Sequence, residues 1–163
     1  MPAASHQAVP RLNLLWFTVL AAPMMIGIAI ALLVWVGQFQ APMELLPGDT
    51  LRMGALGAMA LMLVVARPLR NALLNPQAVA KRPLQGSSPA NDDEQASLKV
   101  QTSMFLLLGI LDAVAMIVIA FCLMQADAHL AILNGIYSLV LAVIAKPDFA
   151  SLIDQTRQQL RHS

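Results

Sequence analysis

The chain has 163 residues, of which 58% are hydrophobic and 12% charged, with a formal net charge of +1. Soluble domains carry about 45–50% apolar and about 25% charged residues, so this balance excludes an ordinary soluble fold and points to a single membrane domain spanning 1–163. One cysteine, Cys122, excludes an intramolecular disulfide framework, and His6, His129 and His162 have no metal-ligand spacing with it or with acidic neighbours.

A polar tail, Met1 to Pro10, precedes the first apolar segment, 14–36. That segment exceeds the roughly 7–15 residues of a signal-peptide core and has no small-residue cleavage site after it, so it reads as a retained spanning helix. Pro23 lies in its interior, where membrane helices tolerate proline. Trp16 and Trp35 stand about 29 Å apart along a helix, a separation suited to the two aromatic belts of a bilayer. A turn-rich loop with Pro42, Pro47 and Gly48 leads to the second segment, 51–66, which has Arg52 and Arg67 at its ends to snorkel outward. Gly54, Gly57 and Ala58 are expected to form a narrow face that lets another helix come close.

Residues 67–101 hold four prolines and the polar run QGSSPANDDEQAS. This composition predicts a short surface helix near 69–74 followed by a flexible linker. Asp92, Asp93 and Glu94 read as solvated acids or as the negative start of a helix, not as a metal site. The third apolar segment, 104–124, carries Asp112, and the fourth, 130–145, follows a tight connection. Pro147 is placed to begin a C-terminal helix over 147–161, with Phe149, Leu152, Ile153 and Leu160 mostly on one face. The expected fold is therefore all-α, an integral membrane four-helix bundle with a short C-terminal amphipathic surface helix.

Nine of the ten cations, all but Arg52, lie in the N-terminal tail, the 67–101 linker and the C-terminal region. The positive-inside rule then puts both termini and the linker in the cytoplasm.

Asp112 is the sharpest functional signal. On the insertion scale an aspartate at a helix centre costs roughly 2.5–3.5 kcal/mol, whereas each Leu, Ile, Phe or Val returns about 0.3–0.6 kcal/mol. Twelve such residues between Met104 and Met124 give on the order of 5 kcal/mol in the other direction, so the segment inserts despite the acid. An acid retained at that depth is a functional-site hypothesis, here the binding of a proton or cation. The alternative is structural: helix rise puts Tyr137 and Ser138 near its depth and Asn134 a turn further out, and a neutral aspartate can hydrogen-bond to them across the helix interface.

The string FLLLGILDAVAMIVIAFCL resembles the carboxylate-bearing helix of the rotary ATP synthase proteolipid, the c subunit, at Gly109, Asp112, Ala113, Met116 and Ile117. A polar loop expected in the cytoplasm precedes the acidic helix in both. The resemblance implies that Asp112 is an ion-binding carboxylate and that Gly109 serves helix packing. The layout as a whole also resembles small bacterial four-helix membrane proteins, a likeness that assigns no activity but implies the inner membrane of a bacterium.

No nucleophile–base pair, metal cluster or phosphate loop is apparent, so neither an enzyme nor a cofactor or metal site is expected. The expected partners are the lipid bilayer and either further copies of the chain or another membrane protein, without nucleic acid. Two roles stay open: an ion-binding subunit centred on Asp112, and a non-catalytic interaction or assembly protein in which Asp112 makes a structural hydrogen bond.

Overall fold

Long apolar runs without strand-like alternation favour helices. The computed structural model describes residues 3–43, 46–84 and 89–162 and has six helices and no strand among them. They are α1 (Ala3–Trp35), α2 (Gly48–Leu73), α3 (Pro76–Lys81), α4 (Asp92–Gln125), α5 (Ala128–Ile144) and α6 (Phe149–Arg161). Three of them, counting Ala8–Trp35 of α1, are long and apolar enough to cross a membrane. The fourth expected span corresponds to α5, which at 17 residues is roughly 26 Å long. It becomes a fourth candidate only together with α6, from which it is bent by 50°.

Several boundaries differ from the sequence reading because tertiary packing extends helices past their apolar runs. Helix α2 continues beyond Ala66 through Pro68. The missing proline N–H deprives only the carbonyl of Val64, an exposed residue, so the helix survives. Leu69 to Leu73 therefore complete α2, and the separate short helix is α3, capped by the Asn75 side chain accepting from the Gln77 N–H.

The expected flexible linker is largely folded. Its last ten residues are the first turns of α4, where Ala96, Lys99, Val100 and Ser103 are buried at helical spacing. The Asn91 side chain accepts from the Glu94 N–H while the Glu94 carboxylate accepts from the Ala90 N–H, which fixes the start of α4. Lys99 reaches back to the Ala80 carbonyl and Arg82 to the Leu73 carbonyl, so each cation satisfies the carboxyl end of a helix. Residues 85–88 of the expected linker lie outside the described residues.

Helix α6 starts at Phe149 and not at Pro147, because Asp148 is its cap and accepts from the Ser151 N–H. Its apolar face does not lie open as a surface helix would require. Phe149, Leu152, Ile153 and Thr156 are buried, and the helix packs on α4, α3 and α1, with Arg157 bridging to Asp93 of α4 at 3.2 Å.

The tightest helix approach is between α1 and α5. A Cβ on Gly27 would stand 2.5 Å from the Ala131 carbonyl oxygen, and one on Gly135 would stand 2.7 Å from the Met24 Cα. Glycine is needed at both positions for the backbones to meet. The glycines expected to serve this purpose do not: Cβ atoms on Gly54, Gly57 or Gly109 would meet nothing within 4 Å. Helix α2 is rotated so that Leu51, Ala55 and Met59 turn inward, leaving Gly54, Gly57 and Ala58 exposed. Larger apolar side chains bury more area, and that gain sets the rotation. Gly54 and Ala58 instead line an apolar groove of about 270 Å³ whose opposite wall is Val114, Ile117 and Phe121 of α4.

Candidate functional site

The α4–α5 hairpin carries most of the buried polar side chains among the described residues. It is closed by Ala126 in the left-handed conformation (φ 52°), whose N–H, like that of Asp127, donates to the Cys122 carbonyl. Asp127 then caps α5 by accepting from the Leu130 N–H at 3.1 Å. The same carboxylate receives the Arg52 fork, Nε to Oδ2 at 2.8 Å and Nη2 to Oδ1 at 3.2 Å. Burial opposes ionisation of Asp127, but the Arg52 hydrogen bond, the Leu130 N–H and the Arg52 charge together hold its carboxyl below the usual carboxylate range. Trp35 lies edge-on to His129, and Gln125 donates to the Leu46 carbonyl, completing this end of the molecule.

Further along α5, three polar side chains hold the helix to its neighbours through backbone carbonyls. The Asn134 amide donates to Ala115 of α4 at 3.0 Å, the Ser138 hydroxyl donates to Leu20 of α1, and Trp16 of α1 donates its indole N–H to Ala142 at 2.9 Å. Trp16 is thus a fully buried pin that packs edge-on against Phe149, and of the two tryptophans only Trp35 is exposed. The aromatic-belt reading of Trp16 is corrected by this bond, since a buried indole finds its partner inside the protein.

Asp112 sits half-buried in α4 beside this row. Two of its three expected partners bond elsewhere: Asn134 gives one of its two amide N–H groups to the Ala115 carbonyl, and the Ser138 hydroxyl donates to the Leu20 carbonyl. The third, Tyr137, lies within electrostatic reach of Asp112, yet its buried hydroxyl has no hydrogen-bond partner. The Oδ1 atoms of Asp112 and Asn134 are likewise buried without partners. Asn134 bonds to Ala115, one turn from Asp112 on α4, and the Tyr137 O–H is a donor as well as an acceptor.

Gly109 is exposed one turn before Asp112. Side chains on a helix lean toward the preceding turn, so the missing side chain leaves the approach to the Asp112 carboxyl open from outside. Among the described residues no group of three His, Cys, Asp or Glu side chains is arranged to hold a metal ion.

Sequence reasoning missed Gly27, Gly135, the Trp16 pin and the Arg52–Asp127 pair. The last had a usable signal, because Arg52 and Asp127 fall in the two connections expected on the same side and have opposite charges. No protein family, no curated protein and no solved structure matches this chain. The proteolipid resemblance therefore rests on Gly109, Asp112, Ala113, Met116 and Ile117 alone.

Proposed function

We propose that the chain is an integral membrane protein whose Asp112 takes up and releases a proton within the bilayer. The three long apolar helices, with the bent α5–α6 pair as a fourth, suit a four-span bundle. Arg52, the one cation expected on the outer side, is neutralised by Asp127 there. The remaining cations favour a cytoplasmic assignment for the end that carries both termini.

The observation that carries the proton reading is the buried Oδ1 of Asp112, which has no hydrogen-bond partner although Tyr137 of α5, itself unpartnered, lies within its electrostatic reach. Protonated, Asp112 can donate to an acceptor; ionised, it can accept from the Tyr137 O–H, so the carboxyl has a use in either state. Calcium and magnesium take about six or more oxygen ligands, some of them water, and one carboxylate with two neighbours supplies few of these. A purely structural acid would spend its oxygens on helix-to-helix bonds, and here Asn134 and Ser138 make those bonds without it.

A hydrophobic carbodiimide, which reacts with protonated carboxyls from the lipid phase, tests the reading on the protein in vesicles. Mass spectrometry should find the adduct on Asp112, with a labelling rate that falls as the pH rises and disappears in Asp112→Asn. Labelling that is independent of pH, or that spares Asp112 while modifying other acids, would remove the proposal.

A further inference from the structure

Where the last turn of α2 meets the α5–α6 connection, a cleft of about 540 Å³ opens to the surface. Its polar lining includes Arg70, Asn71, Asn75, Lys146, Ser151 and Gln155. The Arg70 guanidinium is held there by neutral acceptors alone. Nε and Nη2 donate to Asn71 Oδ1 at 3.1 and 2.9 Å, and Nη1 donates to the Lys146 carbonyl at 3.0 Å. Those bonds use three of the five N–H groups of the fork, so two remain to be filled.

Lys146 is a second cationic residue of the lining. Its ammonium lies 5.1 Å from the centroid of the Phe17 ring, a contact that orients a cation without neutralising it. Among the described residues neither Arg70 nor Lys146 takes part in an ion pair. The one carboxylate in the lining, Asp148, is engaged in capping α6, so the cleft keeps two cations against one anion. The Asn75 side-chain oxygen is taken by the Gln77 N–H, which leaves its amide NH₂ as a further donor. Exposed Phe17 and Val143 lie on the α1 and α5 surfaces leading toward this end.

A guanidinium fixed with two spare donors, a second cation and amide donors around an open cleft is suited to a tetrahedral oxyanion, which takes several hydrogen bonds at once. We propose that this cleft binds the phosphate group of an anionic phosphate ester, supplied either by a phospholipid headgroup or by a soluble molecule. The lipid source rests on the membrane reading above, in which this end lies at the cytoplasmic interface and the exposed apolar surfaces accept acyl chains.

The test uses the full chain, purified in detergent and stripped of lipid. Native mass spectrometry compares phosphatidylglycerol with phosphatidylcholine of the same acyl chains, and glycerol 3-phosphate serves as the soluble probe. Phosphatidylglycerol is expected to bind in preference to phosphatidylcholine, and neutralising each cation should weaken its binding about fivefold. Arg70→Lys, which keeps the charge and loses the fork, should fall between the wild type and Arg70→Gln. Preferential binding of phosphatidylglycerol without binding of glycerol 3-phosphate assigns the lipid headgroup. Binding of glycerol 3-phosphate that is lost in Arg70→Gln/Lys146→Gln assigns a soluble ester. Equal binding of both lipids with no binding of the soluble probe, or undiminished binding by the double variant with its helical circular dichroism intact, overturns the proposal. Flotation of the double variant with vesicles tests the membrane reading separately, since insertion does not need this cleft.

Discussion

At the α4–α5 turn Asp127 accepts bonds from the Arg52 fork and from the Leu130 N–H, whereas in the middle of α4 the Oδ1 of Asp112 accepts none. Asp127 is the more enclosed of the two, with 8% of its side chain exposed, and it is still fully served. Burial alone therefore does not decide whether an acid is paired. A carboxylate whose lone pairs are occupied by a cation and a helix N-terminus is held ionised and in place, and Asp112 Oδ1 has no such partners.

The contrast predicts its largest effect at Asp127. Asp127→Ala removes a helix cap and two charge-assisted bonds and should lower stability by about 3 kcal/mol, measured by unfolding in mixed micelles followed by circular dichroism. The pH dependence has a defined sign. The folded-state pKa of Asp127 lies below its unfolded value of about 3.9, so its contribution is whole above that pH and is lost as the pH falls through the lower folded value. Asp127→Asn should flatten the acid limb of the stability curve, and an unchanged limb would mean that Asp127 is not the acid responsible.

A second break in the comparison moves from side chains to backbone. Gly27→Ala puts a methyl 2.5 Å from the Ala131 carbonyl oxygen and should cost about 1–3 kcal/mol as α1 and α5 separate. Gly54→Ala meets nothing and should be neutral or stabilising by up to about 1 kcal/mol through helix propensity. The two variants, unfolded side by side, distinguish a seam that is filled within the chain from a face that is not.

Of the two acids, the smaller stability effect belongs to Asp112. Because its Oδ1 has no partner, Asp112→Asn should cost under about 1 kcal/mol. The same substitution should abolish carbodiimide labelling. A loss as large as that of Asp127→Ala would instead make Asp112 a structural acid and erase the difference between the two.

Much of the helical architecture was legible from the chain. Four apolar runs, the acidic start of α4 and the tight α4–α5 connection all correspond to features of the structure. The folded character of residues 92–101 could also have been read, since Ala96, Val100, Met104 and Leu107 repeat at helical spacing beneath the polar composition. The partners of Asp112 were not legible. Depth along a helix follows from counting residues, and counting puts Tyr137 near the depth of Asp112. Whether a side chain at that depth donates to a carboxylate or to a carbonyl depends on how each helix is rotated and how near its neighbour lies.

Run length and composition determined that the chain is helical and apolar enough to suit a bilayer, and that one acid interrupts its third apolar run, because those are properties of single segments. Only the tertiary structure decided that Gly27 and Gly135 carry the close approach while Gly54, Gly57 and Gly109 stay open. It also decided that Asp127 is saturated and Asp112 left bare. The physical reason is common to both: a contact belongs to a pair of helix faces, and the faces that meet are selected by burying bulky side chains across all six helices at once.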